Sequence, residues 1–172
     1  MVSMIVAVDC NNGIGYQNEL LFHSKEDMQH FRNITMGKTV VMGRKTAESL
    51  PKGFLPHRNN LILSSGPEKE EDIGGFFVRT TQDDIEYIVN HYDDIVVIGG
   101  GSVYEQFMPY AEKIYLTKFE YGVEHCDTYF PKIDGGFREN FIRREKLVVN
   151  VISDNTYKNI LTTFFDYDRI AF

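Results

Sequence analysis

The run Ile95-Val96-Val97-Ile98-Gly99-Gly100-Gly101-Ser102-Val103-Tyr104-Glu105-Gln106-Phe107 constrains the fold more than any other stretch of the chain. Four consecutive β-branched residues predict a strand buried on both faces, as in parallel sheets covered by helices on each side. The glycines that follow predict a turn in which no side chain obstructs the backbone, and Ser102 falls where a helix N-cap belongs. Strand, glycine turn and helix make a cradle for a phosphate, because unpaired N–H groups at a helix start favour an anion. The same pattern also serves as a tight strand-to-helix turn with no ligand. Tyr104 stands where a Rossmann fingerprint would have its last glycine, so this stretch alone leaves both readings open.

The pattern returns at Lys38-Thr39-Val40-Val41-Met42-Gly43-Arg44-Lys45-Thr46, now with two cations at the helix start and a hydroxyl beside them. Arg44 and Lys45 could be solvated surface charges, but a second strand-glycine-helix unit in one short chain favours an anion site. Further strands are predicted over 4–9, 60–63, 76–79 and 113–119, and an amphipathic helix over 83–89. Ser64 and Ser65 close the strand at 60–63, where ligands are met in open α/β sheets. The long connection from Asn11 to Ser24 reads as a segment covering a site or as a plain surface loop. Ser24 with Asp27 resembles a capping box opening a helix whose apolar positions are Met28, Phe31 and Ile34. Asp27 needs no explanation beyond the helix dipole; if that apolar face lines a pocket, it becomes an acceptor for a ligand with adjacent N–H groups and a proton handler. Arg58 is either a fork for a carboxylate or an ordinary surface cation. The acidic run 68–72 predicts a solvated loop. The last third lacks helical periodicity and predicts an antiparallel hairpin, 143–152 and 157–167 about Ser153-Asp154-Asn155.

Parallel strand-helix units followed by antiparallel strands define an α/β fold. One domain is expected, a central, mostly parallel twisted sheet closed by an antiparallel C-terminal hairpin and flanked by about four helices. The 172 residues, 42% hydrophobic and 25% charged, suffice for a core of their own. A net charge of −7 argues against wide contact with nucleic acid, leaving room only for a small phosphate partner. The apolar runs are too short to span a bilayer, and the first is strand-length with no basic region before it, so a cytoplasmic protein is expected. Cys10 and Cys126 lack metal or redox spacing and are expected to be free thiols, with no metal site.

Several motifs, in this order, resemble the dihydrofolate reductase family, close to its bacterial form. They are Gly13-Ile14-Gly15 with Asn18; Asp27-Met28 with Phe31-Arg32; Thr35 with Gly37-Lys38; and Met42-Gly43-Arg44-Lys45-Thr46 with Glu48-Ser49-Leu50. Leu55-Pro56 with Arg58-Asn59, Ser64-Ser65, Ile98-Gly99-Gly100-Gly101 with Val103-Tyr104, Tyr115-Leu116-Thr117, and Asp127-Thr128 with Phe130-Pro131 complete the series. Nearly the whole chain is covered. The resemblance implies reduction of 7,8-dihydrofolate by NADPH, feeding one-carbon metabolism and thymidylate synthesis, in a monomer that also takes antifolates. Asp27 and Arg58 suit a pterin with a glutamate tail and speak against a pyrimidine reductase of riboflavin synthesis, while a non-catalytic folate- or nucleotide-binding relative stays open.

Carried onto this sequence, the resemblance makes Asp27 the pterin anchor and proton handler, supported by Thr117, with Leu20 and Phe22 of the lid beside the reaction centre. Ile5, Ala7, Met28, Phe31, Leu50, Leu55, Ile98 and Tyr104 would wall the substrate, and Arg58 would bind its α-carboxylate. The NADPH site would comprise Ala7, Ile14, Gly15, Asn18, Leu20, Gly43, Leu63, Ile98, Val103, Tyr104 and Gln106. Arg44 with Ser64 or Ser65 and Arg79 would meet the 2′-phosphate. Lys45, Thr46, Gly99, Gly100, Gly101 and Ser102 would hold the diphosphate turn, with Gly99-Gly100 a cis bond. The segment from Asn11 to Ser24 would be the lid, steadied by Asp127. Three positions depart from the family: Leu21-Phe22 stands for its usual Pro-Trp, keeping the bulk without the indole N–H, and Ser102 replaces a residue that is often cationic.

Overall fold

The computed structural model describes residues 1–65, 76–79, 81–133, 141–151 and 160–170, without the side chains of 76–79 and 145–151. Strand β1 (Val2–Val8) lies at the centre because both its faces are apolar: Met4, Val6 and Val8 enter one layer of the core, Ile5 and Ala7 the other. It pairs in parallel with β7 (Ile95–Gly99) and β8 (Lys113–Phe119). Beyond β7 the parallel sheet continues through β4 (Thr39–Gly43), β5 (Asn59–Ser64) and β6 (Phe76–Arg79). Beyond β8 come the antiparallel β11 (Ile160–Arg169) and β10 (Phe141–Val151), giving the order β10-β11-β8-β1-β7-β4-β5-β6.

Helices α1 (Lys25–Thr35) and α2 (Arg44–Ser49) cover one face, over Ile5, Val40, Met42, Ile62 and Val96. The other face packs Ile85 and Ile88 of α3 (Gln82–His91) and Val103 and Phe107 of α4 (Gly101–Phe107) against Met4, Val41, Leu61 and Val97. Each such fully buried aliphatic side chain contributes about 1.5–3 kcal/mol of transfer free energy, which is what holds short helices such as α2 and α4 in place.

The expected α/β architecture is present, with the hairpin closing the sheet and β8 spanning the predicted residues. Three local expectations change. The 11–24 connection is not an open loop: β2 (Gly13–Tyr16) and β3 (Glu19–Leu20) form a hairpin that pairs with β9 (Thr128–Tyr129). Its turn is Gln17-Asn18, both at positive φ (49° and 67°), the primed-turn geometry that matches strand twist without the usual glycine signal. Ser102 is not an N-cap: Gly99 takes φ 122°, the Gly99-Gly100 bond is cis, and Gly100 caps the helix, leaving Ser102 exposed on its first turn. The capping box is half formed, since the Ser24 hydroxyl accepts from the Asp27 N–H at 3.2 Å while the carboxylate bonded to that hydroxyl is Glu26 (3.1 Å). The acidic run at 68–72 and the Ser153-Asp154-Asn155 turn lie outside the described residues.

Candidate active site

The C-terminal ends of β1, β4, β5 and β7 open onto one groove of about 970 Å³. This is where an open α/β sheet presents its helix-start N–H groups to a ligand. Its floor is Val6, Ala7, Leu63 and Ile98, and its walls are the two glycine turns. A Cβ on Gly43 would lie 3.2 Å from Val103 and 4.0 Å from the Gly99 carbonyl, so the turns pack against each other only because side chains are absent there. Neither α2 nor α4 has a side-chain cap on its first turn. Arg44, Lys45, Thr46, Ser64, Ser65 and Ser102 line the same groove, a donor set suited to phosphates. Arg44 Nε also meets Glu48 Oε1 at 3.6 Å, an exposed pair that an anion of higher charge could displace.

The β2–β3 hairpin forms the opposite wall through Ile14, Gly15, Asn18 and Leu20, the last 56% exposed. Asp127 fastens the hairpin as expected: its Oδ2 accepts from the Gln17 N–H at 2.8 Å, its Oδ1 from the Thr128 hydroxyl at 2.8 Å, and its own N–H donates to the Gly15 carbonyl at 3.1 Å. The Gln17 bond is the main cause that holds the Asp127 pKa below the usual carboxylate range.

Asp27 lies one strand away from the floor. Ala7 pairs with Thr117 across β1 and β8, and the Thr117 side chain faces the Asp27 carboxyl. Burial raises the Asp27 pKa, and the Thr117 hydroxyl offsets that only in part. That hydroxyl is buried and closes no hydrogen bond of ordinary geometry, so a polar partner beside Asp27 would satisfy it. Tyr104 joins the two regions: it lines the groove, donates to the Ile5 carbonyl at 2.7 Å and stacks edge-on to Phe130. Burial first, then the Asp27 charge, pushes its phenol pKa up, so it stays a donor.

At the other end of α1, Arg58 Nε and Nη2 donate to the Thr35 hydroxyl at 3.3 and 3.2 Å, and Nη1 donates to the Pro56 carbonyl at 2.6 Å. Among the described residues no carboxylate pairs with Arg58, whose pKa is lowered by partial burial and by the Arg32 charge; two unneutralised cations make an anion welcome.

The structure thus brings onto one groove every residue expected at the cofactor except Arg79, whose side chain lies outside the described residues although its backbone pairs with Ser64. Of the expected substrate residues, Ala7, Ile98 and Tyr104 line the groove itself. Ile5 is in the core that Phe31, Leu50 and Leu55 flank, whereas Met28 is 52% exposed rather than packed. Phe22 does not line the groove; it is buried and stacks on Phe119 at 4.3 Å.

A family model described as dihydrofolate reductase matches residues 1–168. The chain belongs to the dihydrofolate reductase family. It is 37% identical over 134 residues to a dihydrofolate reductase of Bacillus subtilis (78% of this chain, 77% of that one) and 38% over 132 residues to one of Haemophilus influenzae (77% and 79%). The fold is similar to a dihydrofolate reductase from Enterococcus faecalis complexed with NADP(H) and RAB-propyl, with a TM-score of 0.81, 26% identity and coverage of 99% and 97%.

Sequence reasoning missed Gln17, Glu19 and Glu48 on the groove and the buried Asp9 behind the hairpin. Only Asp9 had a readable signal: an Asp ahead of Asn11-Asn12-Gly13 is placed to take up turn N–H groups.

Proposed function

We propose that this chain reduces 7,8-dihydrofolate to 5,6,7,8-tetrahydrofolate with NADPH, adding a hydride at C6 and a proton at N5 of the pterin. One observation carries the reading: a half-buried carboxyl with a raised pKa, Asp27, stands one strand from the floor of a groove rimmed by Arg44 and Lys45. Asp27 grips the 2-amino group and adjacent ring nitrogen, and its raised pKa keeps a proton at hand for N5. The Thr117 hydroxyl, which faces the Asp27 carboxyl, completes that polar contact. Ile5, Ala7, Met28, Phe31, Leu50, Leu55, Ile98 and Tyr104 supply apolar surface to the rings, which excludes water around the developing charge. Arg58 takes the α-carboxylate of the glutamate tail as a planar fork already oriented by Thr35 and Pro56.

NADPH supplies the hydride when bound. For it, Arg44 with Ser64 or Ser65 holds the 2′-phosphate, and Lys45, Thr46 and the Gly99–Val103 turn hold the diphosphate. Leu20 and the β2–β3 hairpin cover the nicotinamide end, and Phe22 anchors the hairpin's return to the core. The free thiols Cys10 and Cys126 suit the cytoplasm. Antifolates that present a 2-amino-substituted ring compete for Asp27.

Purified protein mixed with dihydrofolate and NADPH should consume the reduced nicotinamide signal and yield tetrahydrofolate. Binding of both compounds without turnover would leave a folate-binding protein in place of the reductase.

A further inference from the structure

Asp9 is a buried carboxylate that the reaction does not use. It is 1% exposed and follows directly on β1. No cation pairs with it among the described residues; three backbone N–H groups do. Oδ1 accepts from Asn11 at 2.8 Å and Gly13 at 2.7 Å, which shapes the turn at the root of the hairpin. Oδ2 accepts from Val123 at 3.1 Å, on a segment 114 positions away. A parallel bond runs from the Cys10 N–H to the Tyr121 carbonyl at 3.1 Å. Val123 packs in the small cluster of Phe22, Phe119 and Ile160 that also receives Leu21, so the segment that Oδ2 holds also packs where the chain leaves the hairpin. Space at the root is tight: a Cβ on Gly13 would lie 2.6 Å from the Cys126 Sγ and 3.1 Å from the Asp9 carboxylate.

We propose that Asp9 is a positioning residue for the hydride-transfer reaction, a latch at the hinge side of the lid that holds the β2–β3 hairpin in place as a wall of the cofactor groove. It is separate from the tip contact made by Asp127, which grips Gln17. The two oxygens divide the work. Oδ1 builds the turn and Oδ2 ties it to the 121–123 segment, so the tie can be cut alone. In Asp9→Asn the amide oxygen replaces Oδ1, and the amide NH2 then faces the Val123 N–H, donor against donor. The root turn survives and the side-chain tie to Val123 is lost, while the Cys10–Tyr121 backbone bond stays.

This inference rests on the reductase reading for its kinetic effect, but not for its structural one. In Asp9→Asn without ligands, amide hydrogen exchange over residues 13–20 should quicken about tenfold, the equivalent of one charge-assisted hydrogen bond, while β1 and β8 keep their wild-type rates. The KM for NADPH should rise about three- to tenfold while the KM for dihydrofolate moves less than about twofold, because only the cofactor groove has the hairpin as a wall. Unchanged exchange at 13–20, or faster exchange throughout the sheet, would overturn the latch, since the first denies the tether and the second shows a purely global role. A wild-type protein that shows no turnover while Asp9→Asn still quickens exchange at 13–20 alone would sink the reductase reading and leave the latch standing.

Discussion

In the proposed reaction Asp27 is useful for the reason it is costly to the fold. Burial disfavours its charged form and raises its pKa, and the Thr117 hydroxyl compensates only in part. A carboxyl whose folded pKa lies above the unfolded value binds its proton more tightly in the native state. Its favourable contribution is therefore complete below the unfolded value and is lost as pH rises through the folded one. Above the unfolded value the native protein carries that penalty; below about pH 4, the ordinary range of an unfolded Asp, it does not. Asp27→Asn removes the penalty with the charge. The variant should melt higher than wild type at pH 7 and show no such gain near pH 3, while turnover at neutral pH falls by about 10²–10⁴ with the loss of the proton handler. Thermal unfolding at the two pH values and the pH–rate profile test both halves. Wild type should lose activity as pH rises through the raised Asp27 pKa, and that limb should vanish in Asp27→Asn; a variant that keeps it would place the titrating group elsewhere.

The turn between β7 and α4 shows what an element adds beyond its residues. Gly99 takes φ 122°, a conformation closed to other residues, and a Cβ there would lie 3.3 Å from the Tyr104 hydroxyl and 3.4 Å from its ring. Tyr104 lines the groove and its hydroxyl donates to the Ile5 carbonyl, so a push at Gly99 reaches the floor of the site. Gly37 has φ 74° with nothing within 4 Å of its missing Cβ. Gly37→Ala should therefore cost about 1 kcal/mol from backbone strain alone, and Gly99→Ala about 1–3 kcal/mol together with several-fold weaker NADPH binding. Melting curves and a nicotinamide titration of both variants check this; equal losses in the two would mean that contact with Tyr104 does not matter. This turn was largely legible in the sequence, because β-branched runs and glycine clusters act locally. Ser102 misled because cap preferences assume ordinary φ values ahead of the helix, and Gly99 breaks that assumption. The β2–β3–β9 ribbon was not legible: its turn lacks the usual glycine, and its third strand comes from residues 128–129. Asp27 was visible as a helix-start acid, yet only the pairing of Ala7 with Thr117 places it beside the groove.

At the scale of the whole molecule, the groove draws its walls from distant parts of one sheet and from the ribbon laid across it, so a ligand there ties together elements that the core alone holds. Arg169 of β11 adds a similar tie at the opposite end, donating to the Ala111 and Met108 carbonyls at 2.5 and 2.9 Å while lying over the Phe141 ring. A ligand that binds only the folded state stabilises it by mass action, about 2.7 kcal/mol at a hundred times its Kd. For a domain of this size that raises the melting midpoint by about 5–10 °C. NADH lacks the 2′-phosphate, so at equal concentration it should give a smaller rise, the difference residing in the proposed contact with Arg44. Among the described residues, and in the absence of nucleotide, Arg44 has only its exposed pair with Glu48 at 3.6 Å, worth about 0–1 kcal/mol. Arg44→Ala should therefore melt close to wild type on its own, lose most of the extra rise that NADPH gives over NADH, and keep the rise that NADH gives. Thermal shift titrations of the two nucleotides against both proteins measure all three quantities. If the NADPH and NADH rises shrink together, the Arg44 side chain shapes the groove as a whole; if neither changes, the 2′-phosphate is held by other cations.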